Sequence, residues 1–202
     1  MKKALTIGEL LITMGIIGVI AMLTLPGFIQ DYHKRVYTTK LKKSVEMIEN
    51  AVNQACADNN VSYFYQTPYV NTADRGKHQQ DFIDKYFKKA GGINKNPFSE
   101  KYQILETGKL ANNGLSSSHG WAKLAGGEAL SFWCASGDYC LFRVDVNSTD
   151  GPNIGGRDYF AIYVNKKTNE VYDRYSKDKC GKNEDGYGCF AKLLENNWEM
   201  NY

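Results

Sequence analysis

Histidine is scarce in this 202-residue chain, and its three residues, His33, His78 and His119, stand far apart. No C-x-x-C occurs among the five cysteines. A structural zinc site needs clustered nitrogen and sulfur donors, so none is expected. The chain also lacks G-x-S-x-G, H-E-x-x-H and the P-loop pattern. No nucleophile–base pair follows from spacing, and the expectation is a protein that is not an enzyme. Excess charge of one sign is missing too. Lys and Arg number 25 against 22 Asp and Glu, a net charge of +3. That excludes a polybasic nucleic-acid binder and an acidic solvating tail.

The most informative absence is local. From Leu10 to Gln30 there is no Asp, Glu, Lys or Arg. The chain is polar on average, so it is not a polytopic membrane protein; it joins one greasy segment to one polar domain. With its flanks the greasy run reaches about 20 apolar residues, enough to cross a hydrocarbon core as a helix. A cleaved secretory signal is the plain alternative, but Ala21-Met22-Leu23 and Pro26-Gly27-Phe28 make poor small-x-small cleavage sites.

Glu9 does not belong in a simple anchor. A carboxylate at mid-bilayer costs roughly 2.5–3.5 kcal/mol on insertion scales, less near an interface. Thr6-Ile7-Gly8-Glu9 has the S/T-x-x-E form of a capping box, and an acid in the first turn suits the helix dipole. A cationic partner from another chain is the alternative role, and spacing does not choose between the two.

The stretch Lys2-Lys3-Ala4-Leu5-Thr6-Ile7-Gly8-Glu9-Leu10-Leu11-Ile12 resembles the start of a type IV prepilin or type II secretion pseudopilin. That superfamily has a short basic leader, a small residue before the cut, a hydrophobic residue after it and Glu fifth. Here the cut falls between Ala4 and Leu5, which makes Glu9 the fifth residue. The family's Pro at mature position 22 corresponds to Pro26. The resemblance covers about residues 1–57. Gly is usual where Ala4 stands, and Phe or Met is commoner than Leu5. The resemblance implies cleavage by a prepilin peptidase and methylation of the new Leu5 amine. It implies assembly through an ion pair between that amine and Glu9 of a neighbouring subunit. One charge left alone in such a low-dielectric bundle would be costly. Gly8, Gly15, Gly18 and Ala21 offer small surfaces for helix approach, without a strict G-x-x-x-G. Pro26 removes a hydrogen bond to Met22, and a kink or local melting is expected there.

Positive charge after the span (Lys34, Arg35, Lys40, Lys42, Lys43) exceeds that before it. A positive-inside count would keep the C-terminus cytoplasmic. Long domains translocate largely regardless of charge, and the cysteines favour an oxidising side. The basic group itself reads as a solvated face, with anionic lipid as the alternative. Without it the rest is nearly neutral, with no nucleic-acid footprint.

Asp31 to about Ala57 continues as a helix, with Leu41, Val45, Ile48 and Val52 on one face to be covered by a sheet. Residues 58–77 read as loop, with Tyr63, Phe64, Tyr65 and Tyr69 packing in the core. Gln79–Ala90 reads as a helix with Phe82, Ile83, Tyr86 and Phe87 inward, stopped by Gly91-Gly92. Asn94–Ser118 reads as loop. Strands are expected at Trp121–Leu124, Ala129–Cys134, Tyr139–Val146, Tyr159–Asn165 and Glu170–Tyr175, with a hairpin turn at Asn165–Asn169. The class is α+β, a pilin-like long N-terminal helix on an antiparallel sheet. The organisation is leader 1–4, transmembrane and filament-core helix 5–30, helix continuation and head 31–202.

Local pairing is the economical reading of the cysteines: Cys134 with Cys140 across a hairpin, Cys180 with Cys189 around a polar loop, Cys56 left over. Sequence alone does not fix connectivity, and free thiols in a cytoplasmic protein are the alternative. The Cys180–Cys189 segment resembles the C-terminal disulfide loop of many pilins. The segment 145–153, D-V-N-S-T-D-G-P-N, is rich in oxygen ligands, with Asp158 beyond. It reads either as a polar turn or as a calcium loop with Asp145, Asn147, Asp150 and Asp158 as ligands. It also resembles the calcium loop of major pseudopilins. The expected function is a structural filament subunit. It would partner the prepilin peptidase, itself and other pilin-like subunits, and sit in a bacterial inner membrane with its head outside the cytoplasm. A membrane-tethered binding domain that never assembles is the second reading.

Overall fold

The computed structural model describes residues 6–70, 75–91, 96–111, 120–134, 137–148 and 150–202. Helix α1, Ile7–Asp58, is 52 residues long. The chain divides into two compact units, Met1–Val36 and Tyr37–Tyr202. In the first, α1 is apolar all round. Ile7, Leu11, Ile12, Ile17, Met22 and Leu23 are each more than 60% exposed, a surface at home only in an apolar solvent. The Thr13 and Thr24 hydroxyls donate to the carbonyls of Leu10 and Ile20, both at 2.9 Å, so neither polar hydrogen would be orphaned in lipid. This is one helix long and apolar enough to cross a membrane. It runs through Pro26 without a break, so the local melting expected at that residue is not seen.

In the second unit α1 becomes amphipathic. Leu41, Ile48 and Val52 are fully buried, as their spacing predicts. The unit also holds α2 (Arg75–Tyr86), α3 (Cys189–Glu195) and an eight-stranded, mostly antiparallel sheet. Its strands are β1 (Tyr102–Ile104), β2 (Leu110–Ala111), β3 (Gly120–Lys123), β4 (Ala129–Cys134), β5 (Tyr139–Asp145), β6 (Ile154–Gly155), β7 (Tyr159–Asn165) and β8 (Val171–Tyr172). The order is β2-β1-β6-β7-β5-β4-β3, with β8 on β7; β6 pairs parallel with β1 and β7. The architecture is α+β and consistent with a pilin-like fold.

The central strands are buried on both faces. Register places Phe132 beside Phe142 and Phe142 beside Ile162. Phe82 of α2 packs on that face, 4.6 Å from Phe132 between ring centres, and Phe64 lies 5.4 Å from Phe82. The opposite face carries Leu141, Ala161 and Tyr163, packed with Trp133, Tyr139, Tyr172, Tyr175 and Tyr187. Expected strands β3, β4, β5 and β7 form within a residue or so, and the Asn165–Asn169 hairpin turns with Asn169 at φ 63°.

Several expectations change. Helix α2 is Arg75–Tyr86, four residues earlier at both ends than the expected Gln79–Ala90, and the expected strand Glu170–Tyr175 shortens to β8, Val171–Tyr172. Residues beyond α2 join the edge of β3: the Ala90 amide donates to the Lys123 carbonyl, and the Ala125 amide to that of Lys88, both at 2.9 Å. The 94–118 loop contains β1 and β2. Tyr63 and Tyr65 are 43% and 51% exposed, so only Phe64 and Tyr69 of that group enter the core. Short elements β6 and α3 were not expected at all.

Candidate functional site

The first candidate lies at the head of α1. The Glu9 carboxylate accepts from the Thr6 amide at 2.9 Å and the Thr6 hydroxyl at 2.8 Å. The Glu9 amide donates back to the Thr6 hydroxyl at 3.2 Å. This closes a reciprocal capping box and satisfies donors that the helix start would otherwise orphan. Gly8, Gly15 and Gly18 have open space where a side chain would begin. The expected processing residues Ala4 and Leu5 lie outside the described residues.

Most of the basic group is solvated as expected: Arg35, Lys42 and Lys43 are exposed, and Lys34 and Lys40 are half-buried. Lys40 Nζ donates to the Val146 carbonyl at 3.0 Å, and Lys42 stands 5.9 Å from the centre of the Trp198 ring. Lys40 therefore ties α1 to the loop after β5.

Both expected cysteine pairs form disulfides. Cys134 and Cys140 are register partners of the β4–β5 hairpin with Cα atoms 4.3 Å apart, near the ~4.5 Å of a non-hydrogen-bonded pair. Cys180 and Cys189 close a loop of separation 9. Cys56 is free and buried, and burial pushes its thiol up.

The Cys180–Cys189 loop is fastened to the sheet by residues that the sequence reading did not single out. Arg143 of β5 pairs with Asp185 at 3.2 Å, their side chains 5% and 10% exposed. Burial raises Asp185 above the ordinary carboxylate value, against the pull of Arg143. Asp173 accepts from the amides of Tyr175 and Ala191 at 2.9 and 3.2 Å. It caps α3 from outside, because the N-cap there is Gly188, which has no side chain. An arginine inside the otherwise apolar run Cys140–Val144 was the one available signal for this network.

The predicted calcium residues are only partly brought together. Asp145 and Asp158 are fully buried, Asn147 flanks them, and Asp150 is exposed. Asp158 accepts from the Asn153 and Ile154 amides at 2.7 and 2.6 Å. Asp145 accepts from the Tyr102 hydroxyl and, at 3.2 Å, from the Asn147 amide. Asn147 donates to the carbonyls of Asp150 and Gly151. Burial holds Asp145 well above the ordinary carboxylate value, and the charge of Asp158 adds to this. Among the described residues no three His, Cys, Asp or Glu side chains gather to hold a metal. Among the described residues, three buried oxygens nevertheless lack partners: Asn147 Oδ1, Ser148 Oγ and Asn153 Oδ1. These are hard donors of the kind a calcium ion uses.

No protein-family model, curated protein or solved structure matches the chain.

Proposed function

We propose that the chain is a structural subunit of a type IV pilus-like or type II secretion pseudopilus filament. The observation that carries this reading is Glu9, one carboxylate at the start of a helix whose next 21 positions bear no charged side chain and whose apolar surface is exposed on all sides. Such a helix suits storage in a bilayer and then burial in a bundle of its own kind. Prepilin peptidase would cut after Ala4, and the Leu5 ammonium would meet Glu9 of a neighbour. Disulfides belong to an oxidising compartment, so the head would lie outside the cytoplasm. The loop after β5 is proposed to take Ca²⁺ through Asp145, Asp158, Asn147 and Asn153, where the ion would offset two buried charges.

The capping box favours a second reading, a membrane-tethered domain that never assembles, because Thr6 alone gives Glu9 a local role. Mass spectrometry of the N-terminus, on protein from its native membrane, separates the two. A chain beginning at methylated Leu5 supports the filament subunit. An intact Met1, or a cut beyond Pro26, overturns it.

A further inference from the structure

A groove of about 570 Å³ opens in the head between α1, the end of α2 and the β3–β4 turn. That is within the ~300–1,000 Å³ range of sites that hold a ligand or an anchoring side chain. Met47, Ala51, Phe87 and Leu124 give it apolar walls. Glu128 also lines it and is only 2% exposed. Among the described residues, Glu128 Oε2 is buried without a hydrogen-bond partner. The carboxylate lies against the turn, where a Cβ built on Gly126 would come within 2.3 Å of Oε2 and 2.9 Å of Oε1.

A carboxylate removed from water without a partner is costly, and the groove itself offers no donor to Oε2. The exposed Lys43 and Lys88 stand among the lining residues, while Lys85 is committed to Asp58 at 2.9 Å. The pattern is a negative floor, apolar walls and a positive rim. Its complement is a cationic head on an apolar stem with negative charge beside it. We propose that this groove binds an arginine or lysine side chain of a partner protein, flanked in that partner by carboxylates. Glu128 receives the cation, Met47 and Phe87 cover the stem, and Lys43 and Lys88 meet the flanking acids. The proposal concerns the head alone and holds whether or not the chain assembles into a filament.

The test uses the ¹⁵N-labelled full chain in detergent micelles, titrated with the capped tripeptide Asp-Arg-Asp and its neutral counterpart Asp-citrulline-Asp. The arginine peptide should give saturable shifts at the amides of Phe87 and Leu124–Glu128, and the citrulline peptide should not. Glu128→Gln keeps the shape and should weaken binding about tenfold, the loss of one charge-assisted bond. Lys43→Met with Lys88→Met should weaken it too. Equal binding of the citrulline peptide, unchanged binding to the Glu128→Gln chain, or no shifts at all would overturn the proposal. Tighter binding after loss of the two lysines would also overturn it, since it would mean that one of them already occupies Glu128.

Discussion

Glu9 and Thr6 hold each other. One carboxylate oxygen of Glu9 takes both the amide and the hydroxyl of Thr6, and the Glu9 amide returns a bond to that hydroxyl. A capping box is worth about 0.5–2 kcal/mol. If that were its whole role, Thr6→Val and Glu9→Leu should do equal damage. The filament reading predicts otherwise. Thr6→Val should still assemble, because Glu9 keeps its charge, whereas Glu9→Leu should insert normally and fail to assemble. Counting sheared filaments against membrane-bound chain for each variant decides. Equal assembly of the two would leave Glu9 as a cap only.

Legibility in the sequence followed the strength of periodic burial. The face Leu41, Val45, Ile48 and Val52 was readable because a helix on a sheet must repeat its apolar residues every three or four positions. Strands β4 and β7 were readable as apolar runs rich in aromatic and β-branched residues. The Cys134–Cys140 disulfide followed from the same hairpin. Elements β1, β2 and β6 were not readable, because each is two or three residues long and exists only through its neighbours. The end of α2 was misplaced for a related reason. Lys88–Ala90 carry no pattern of their own and are captured by the β3 edge. Asp173 and Asp185 act across 18 and 42 residues of chain, a distance that no local spacing encodes.

Arg143 and Asp185 are both buried, so removing one partner strands the other. Arg143→Met alone should cost about 3–5 kcal/mol in chemical denaturation, with Asp185 left uncompensated. Arg143→Met with Asp185→Leu should recover most of that loss, since an apolar pair of similar volume is often neutral. A double variant no more stable than the single would show that the pair does more than neutralise charge.

Acid should strengthen the head before it weakens it. Burial raises Asp158, Asp173 and Asp185 above the ordinary carboxylate value, against their hydrogen bonds and, for Asp185, the charge of Arg143. In the unfolded chain these carboxyls return to about 3.9. Between that value and the raised ones, the folded state binds more protons than the unfolded state. The unfolding free energy therefore falls as pH rises through the window. Asp58 works the other way, lowered by the Gln54 hydrogen bond and then by Lys85, but it is a surface group and counts for little. In chelator, the melting temperature should therefore fall as pH rises from about 3.9 through the raised values. A steady climb from pH 4 to pH 7 would contradict this assignment.

The same carboxylates make calcium testable. Asp145 and Asp158 are both buried, and ionising both is unfavourable because burial and the charge of Asp158 already hold Asp145 up. A divalent cation would remove that penalty and supply a partner to Asn147 Oδ1, Ser148 Oγ and Asn153 Oδ1, which have none among the described residues. A ligand at a hundred times its dissociation constant stabilises a fold by about 2.7 kcal/mol. Calcium should therefore raise the melting temperature of chelator-treated protein by several degrees, and should flatten its dependence on pH by holding the carboxylates ionised. Asp158→Asn should abolish the calcium response; it keeps one of the two oxygens that accept the Asn153 and Ile154 amides and loses the other, so the head should also melt at a lower temperature in chelator. If calcium changes nothing in the parent chain, the hydrogen bonds from Asn153 and Ile154 are the whole purpose of Asp158, and the segment is a polar turn.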